Sequence, residues 1–218
     1  MTPFICGGDV RLPRVDPAGI VATMHVNAES LDAEVRLTVD AATELANVLA
    51  GEPLPEFEHL DRLAQLRAVL AAHDFLRARD ATSAEMSALA DRLLSVTRLG
   101  RSLPGAPLHD AVGSVNAELE AAAIAPSLSA HDGYPLHIHW TAPSTPFAHQ
   151  VAVDLLMAVA QTLCDHGTER FGRCAAGDCE RVFYDATKNR SRRFCTDPRC
   201  ASRTHTAAHR ARLAAEHA

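Results

Sequence analysis

Residues 170–212 read RFGRCAAGDCERVFYDATKNRSRRFCTDPRCASRTHTAAHRAR. Four of the chain's six cysteines fall here as two matched pairs, Cys174/Cys179 and Cys195/Cys200. Each pair encloses four residues, and fifteen residues separate the pairs. A single such pair carries little information. Two at this separation, set among arginines, specify a small module built around its thiols.

The charge of the chain divides at the same place. Residues 1–169 hold 10 Lys/Arg against 22 Asp/Glu, a balance of −12, and residues 170–218 hold 11 against 5, a balance of +6; together they give the net −6. A basic tail on an acidic body points to an external polyanion, or to attraction between the two parts. Arginine outnumbers lysine twenty to one, Lys188 being the only lysine. The amino terminus, MTPFICGGDV, shows no basic and apolar leader, and no apolar run reaches the ~20 residues of a membrane span. These features predict a cytoplasmic protein without a membrane partner. Thiols stay reduced there, so paired cysteines read first as metal ligands.

Zinc takes four thiolate or imidazole ligands in a tetrahedron, two from each of two tight turns. Cys174-Ala-Ala-Gly-Asp-Cys179 is one such turn, with Gly177 for backbone freedom and the segments Glu169–Gly172 and Arg181–Tyr184 extended enough for a hairpin. Before the second pair, Thr196 or Asp197 is placed to cap a helix and Pro198 suits its first turn, so Cys200 begins a helix running to about Ala215. The expectation is one Zn²⁺ per chain on Cys174, Cys179, Cys195 and Cys200. Two disulfides or a four-cysteine iron–sulfur cluster would use the same residues. A reducing compartment disfavours the first, and the usual tighter, less symmetric spacings disfavour the second. His205 or His209 could replace one cysteine, but four thiolates already suffice.

Upstream, alternation in Ile20–Val26 and Glu34–Val39 predicts short strands, with Asp40 capping a helix that Gly51 and Pro53 end. From Pro55, the spacing of Phe57, Leu60, Leu63, Leu66, Val69/Leu70 and His73/Leu76 predicts a helix of about six turns. Thr82 or Ser83 caps the next helix, whose stripe is Met86, Leu89, Leu93, Val96 and Leu99 and which Gly100 stops. Leu103–Pro107 links to a helix at Leu108–Ile124. Residues 133–140, GYPLHIHW, predict a strand with His137 and His139 on one face. The most apolar helix spans Phe147–Cys164, with Cys164 in its core and Gly167 at its end. The fold class is α+β: a mostly helical body with a few short strands at 1–167, then a zinc-binding hairpin-plus-helix module at 168–218.

On a helix from Pro198, Arg199, Arg203, Thr206 and Arg210 share one face, and Cys200, Thr204, Ala207/Ala208 and Ala211 the other, which would pack on the knuckle. Lys188, Arg190, Arg192 and Arg193 form a second patch, with Arg212 at the helix end. Together these eight cations are candidates for nucleic-acid contact, Arg190 and Arg193 equally for bonds inside the module. No phosphate-binding glycine loop or nucleophile elbow is present, and His137 and His139 have no carboxylate at a metal-motif distance, so no enzyme is expected. A protein-interaction module docking on an acidic partner is the competing reading. The leucine stripes allow a homodimer seam or a small-molecule effector site in the body.

The tail resembles the CGNR-type zinc finger. In that motif a Cys-x4-Cys knuckle precedes a Phe-x-Asp-x-Ser-x-Asn-Arg-Ser-x-Arg-aromatic-Cys run, a Cys-Gly-Asn-Arg tetrapeptide and a basic helix containing Ala-x-x-His-x-x-Arg. Phe183, Asp185, Asn189, Arg190, Ser191, Arg192, Arg193, Phe194 and Cys195 match in order, with Thr187 for the serine; His209 and Arg212 match the helix, and Thr206 stands at its alanine. The tetrapeptide departs, reading Cys200-Ala201-Ser202-Arg203. Cys6-Gly7-Gly8 and VDAATELANVLAG (39–51) resemble the opening of the ABATE domain, described as a stress-induced transcription regulator. The resemblance implies a body that senses or dimerises and a finger that binds DNA.

Overall fold

The computed structural model describes residues 11–15, 21–25, 28–50, 56–129 and 137–216. The Cys6-Gly7-Gly8 stretch, Gly51 and Pro53, and residues 130–136 lie outside them. Strands β1 (Arg11–Val15) and β2 (Val21–His25) form an antiparallel pair. The second strand is thus where alternation placed it, but its partner is Arg11–Val15 and not Glu34–Val39.

Glu34–Val39 belongs instead to α1, a helix from Ala28 to Val48, and Asp40 sits mid-helix and caps nothing. Two periods compete over these residues. The alternation spans six residues, whereas Val35, Val39, Ala42, Leu45, Ala46 and Leu49 recur at helical spacing over four turns. The longer pattern wins because it buries a continuous stripe: Val39, Ala42, Leu45, Ala46 and Leu49 are all buried, while Leu37 is exposed.

Helix α2 (Glu56–Ala72) is a turn shorter than its leucine spacing suggests. Asp74 adopts a left-handed conformation, φ 62°, and the Phe75 N–H bonds back to the Leu70 carbonyl at 3.0 Å. That is a helix-ending closure with aspartate where glycine is usual. A 3₁₀ turn at Leu76–Arg79 leads to α3 (Ser83–Ser102). Thr82 caps α3 in a full capping box with Glu85, and the expected stripe is buried throughout. Gly100 does not stop α3. It lies inside the last turns beside α1, where a Cβ would meet Ala46 at an ordinary contact distance of 3.6 Å.

Helix α4 covers Leu108–Ala121, short of Ile124 because Ala123 turns left-handed at φ 40°. Strands β3 (Ser127–Ser129) and β4 (His137–His139) pair antiparallel, placing Ser127 opposite His139 and Ser129 opposite His137. Helix α5 (Phe147–His166) ends at Gly167, φ 60°. Among the described residues it alone is long and apolar enough to cross a membrane, yet 61% of that stretch is buried inside the protein. It is the central core helix: α1, α3 and α4 pack on it, with α2 against α1 and α3. Cys164 falls on its outer face and is exposed, contrary to the core placement expected for it. It shares that face with Gln161 and Asp165, which also stay in water.

The body ends in the hairpin that carries the first thiol pair. Strands β5 (Phe171–Arg173) and β6 (Val182–Tyr184) pair antiparallel with Phe171 opposite Tyr184. Both aromatic side chains enter the main hydrophobic core, their ring centroids 6.0 Å apart. Gly172 permits this: a Cβ there would strike the Phe183 ring at 2.5 Å. Helix α1 grips β6 through Asn47, whose amide nitrogen donates to the Val182 carbonyl at 2.8 Å and whose oxygen accepts the Val182 N–H at 2.9 Å. The side chain completes both bonds of a missing neighbouring strand. Asn47→Ala leaves both β6 groups unpaired and is expected to cost about 1–3 kcal/mol, read as a lower urea midpoint with zinc content unchanged.

Candidate metal centre and the basic surface beside it

The first knuckle is closed by backbone bonds from Cys174 N–H to the Arg181 carbonyl (2.9 Å) and from Cys179 N–H to the Ala176 carbonyl (3.1 Å). The Ala175 N–H reaches the Arg193 carbonyl at 2.8 Å, tying the first knuckle to the strand of chain that delivers Cys195. Helix α6 (Pro198–Glu216) starts as predicted. The Asp197 carboxylate accepts the Arg199 N–H at 3.0 Å, an N-cap bond, with Pro198 in the first turn. Cys200 thus stands at the positive end of α6, which favours a thiolate.

The four sulfurs converge. All lie within 4.8 Å of one another; Cys179–Cys195 is 3.9 Å and Cys195–Cys200 is 3.7 Å. A tetrahedron with metal–sulfur bonds of ~2.3 Å has edges of about 3.8 Å. The spacing therefore fits a metal at the centre, and none of the four is in a disulfide. Burial bears upward on the Cys174, Cys179 and Cys200 thiols, but the amides of Cys195 and Ala176 and the Cys179 thiol draw Cys174 down to about 7. Burial and the three neighbouring sulfurs push Cys200 up to about 12. Without a cation the site can release its first proton near neutrality and resists releasing the rest. Zn²⁺ supplies the missing charge, so the site suits one zinc ion. An Arg203 N–H reaches the Cys200 sulfur at 3.7 Å and offsets part of the excess negative charge of four thiolates. His205 and His209 are not needed as ligands; the His205 ring stands edge-on to Phe194, centroids 5.7 Å apart.

The loop between the pairs, 185–192, is organised by one carboxylate. Asp185 is 4% exposed and accepts the Thr187 N–H (2.8 Å), the Thr187 hydroxyl (2.6 Å) and the Arg192 N–H (2.8 Å). Thr187 Oγ1 in turn accepts the Ser191 N–H at 2.9 Å, which a serine at that position could also do. Arg170 adds two bonds, to the carbonyls of Asp185 (2.8 Å) and Thr187 (3.1 Å). Sequence reasoning missed this centre; the Asp-x-Thr spacing with a downstream Ser is the signal that could have found it.

The eight candidate cations separate into two groups. Arg192 is structural: it donates to the carbonyls of Tyr184 (2.9 Å) and Phe194 (3.0 Å), lies 5.0 Å over the Phe183 ring, and faces Asp40 of α1 at 3.7 Å. Arg190 pairs with Glu169, Arg199 with Asp197 (2.7 Å) and Arg203 with Asp178 (2.8 Å). Lys188, Arg193, Arg210 and Arg212 are exposed and face no carboxylate among the described residues; Arg193 lies over the Phe194 ring at 5.8 Å. The small-residue face of α6 does not pack on the knuckle as expected. Ala207, Ala208 and Ala211 are exposed, and Cys200 is the one buried residue of the helix. Among the described residues nothing buries that face, and α6 runs outward from the metal site.

Behind Arg192, Asp40 and Glu44 one turn apart on α1 meet His73 beyond the end of α2, His73 Nε2 and Glu44 lying 3.4 Å apart. This polar cluster joins α1 and the end of α2 to Arg192 of the finger. His139, considered for chemistry with His137, joins no such cluster among the described residues. The His149 ring nitrogen is tied to the Ala122 carbonyl at 2.9 Å, and no metal-sized cluster among the described residues contains His139 or His149.

No curated protein matches the chain. Its residues 170–213, which hold all four converging cysteines, the Asp185-centred loop and most of α6, match the family described as the CGNR zinc finger.

Proposed function

We propose that the protein is a zinc-dependent, DNA-binding transcription regulator of the cytoplasm, with an ABATE-like body (1–167) and a CGNR-type finger (168–218), and without catalytic activity. The carrying observation is the geometry of α6. The metal site anchors its first turn, and beyond Thr204 its residues through Glu216 are exposed among the described residues, Arg210 and Arg212 with them. Nineteen residues span about 28 Å, and a helix of ordinary diameter fits a major groove ~12 Å wide. The internal ion pairs favour a division of labour. Arg190, Arg192, Arg199 and Arg203 shape the finger, while Lys188, Arg193, Arg210 and Arg212 contact phosphates, and a salt-paired Arg199 or Arg203 can re-aim at a base edge.

Four phosphate contacts predict a log–log salt slope of about −3 to −4, and Arg210→Ala with Arg212→Ala should lower it by about 2. Mobility-shift titration of genomic fragments across salt concentrations measures this. Absence of a shift at low salt with zinc bound would sink the reading. The protein-interaction reading draws support from the cations already paired within the chain, Arg192–Asp40 reaching into the body. The same titration separates the two, since a docking module leaves DNA unshifted. The body would then dimerise or bind an effector.

A further inference from the structure

The body and the finger enclose a cavity of about 380 Å³ between α1, α5 and the β5–β6 hairpin. That volume lies within the ~300–1,000 Å³ of small-molecule sites, and is far more than one inorganic oxyanion needs. Its walls are of two kinds. Val35 from α1, Ala186 and the face of Tyr184 are apolar, whereas Arg36, His166 and Arg170 bring cationic or protonatable groups from α1, α5 and the hairpin. Asp165 also lines it, its two oxygens each 3.2 Å from the Gln161 amide nitrogen. Two guanidinium groups and one carboxylate line the space.

Arg170 is the most telling wall residue. Two carbonyls hold its Nη1, so the guanidinium cannot swing away, and its Nε is buried with no hydrogen-bond partner. The charges of Arg170 and Arg36 also bear on the Tyr184 phenol, which burial otherwise pushes above its ordinary range. Both guanidinium groups line the same space.

We propose that this cavity binds a small organic anion, a carboxylate or phosphate monoester on an apolar body, with Arg36 and Arg170 on the acid group and Val35, Ala186 and Tyr184 around the rest. Such a ligand touches α1 and α5 of the body and Arg170, Tyr184 and Ala186 of the finger together, so its occupancy ties the finger's base to the body. The site does not depend on what α6 contacts.

Titration calorimetry on the zinc-loaded full chain tests this with benzoate, phenyl phosphate, inorganic phosphate and, as the opposite charge, benzylamine. Saturable binding of benzoate or phenyl phosphate is expected, tighter than inorganic phosphate, with no benzylamine binding; which of the two binds better identifies the acid group. Arg36→Gln, an exposed position on α1, should weaken binding about tenfold, the loss of one charge-assisted bond. Ala186→Trp should fill the cavity and abolish it, with zinc content unchanged in both variants. The proposal is overturned if neither organic anion binds, if benzylamine binds equally, or if both variants bind as the wild type does.

Discussion

Replacing Cys195 with alanine is expected to reduce zinc from one per chain to a small fraction and to unfold the finger. Three thiolates and a water bind zinc far less tightly than four thiolates. Because apparent binding energies of structural zinc reach about 10–16 kcal/mol, most of the finger's stability depends on the site. The damage should spread into the body. Phe171 and Tyr184 lie in the main core, and Asn47 of α1 bonds the β6 backbone, so a melted hairpin opens the α1–α5 side of the helical bundle. A loss of about 4 kcal/mol corresponds to a melting temperature lower by roughly 10 °C for a chain of this size. Metal analysis by mass spectrometry and thermal denaturation followed by circular dichroism measure both effects. Cys164→Ala is the control: that thiol is exposed on α5, and its removal should change neither quantity. A Cys195→Ala protein that keeps a full zinc and its melting temperature would disprove the site.

The finger was legible in sequence because its determinants are local. Two knuckles, a hairpin and a capped helix each depend on residues within a few positions of one another, and Asp197-Pro198 marks the helix start where it occurs. The stripes of α3 and α5 were legible for a related reason: one period runs through each without a competitor. Residues 34–40 were not, since two periods overlap there and only the packing of Val39, Ala42 and Leu45 against α5 and α3 decides between them. Asp74 hid the end of α2 by doing what glycine usually does. Gly100, read as a stop, lies inside α3. The junction between body and finger was invisible. Asn47 and Val182 are 135 residues apart, and no local pattern relates an asparagine in the last turn of a helix to a strand edge. The partners of the cationic face were invisible for the same reason, since pairs such as Arg192–Asp40 and Arg203–Asp178 exist only once the chain has folded.

Asp185→Ala is expected to be the most damaging substitution outside the four cysteines. Its buried carboxylate is the acceptor for two backbone N–H groups and a hydroxyl, and those donors are what curve the chain from β6 towards Cys195. Removing it strands the N–H groups of Thr187 and Arg192 and leaves Arg170 and Arg192 beside an uncompensated space. A cost of about 3–5 kcal/mol follows, the range for breaking a buried charged network by deleting one partner. Asp185→Asn separates charge from shape. Its amide oxygen can still accept from Thr187, but its NH₂ faces the Arg192 N–H, donor against donor, so the loss should be smaller than for alanine and clearly measurable. The two variants differ from the wild type in pH dependence as well. Burial alone would raise the Asp185 pKa, yet the Thr187 and Arg192 bonds and the nearby Arg170 charge together hold it below the ordinary value of 3.8. A group with a depressed folded pKa contributes its stability above the unfolded value and loses it as pH falls through the folded one. The gap in urea midpoint between wild type and Asp185→Asn should therefore be constant from pH 5 to 8 and close below about pH 4. Thiolate protonation expels zinc from both proteins in acid, so the difference between them, and not the slope of either, reports Asp185. A gap that is absent at pH 7 would show that the carboxylate does not organise the loop.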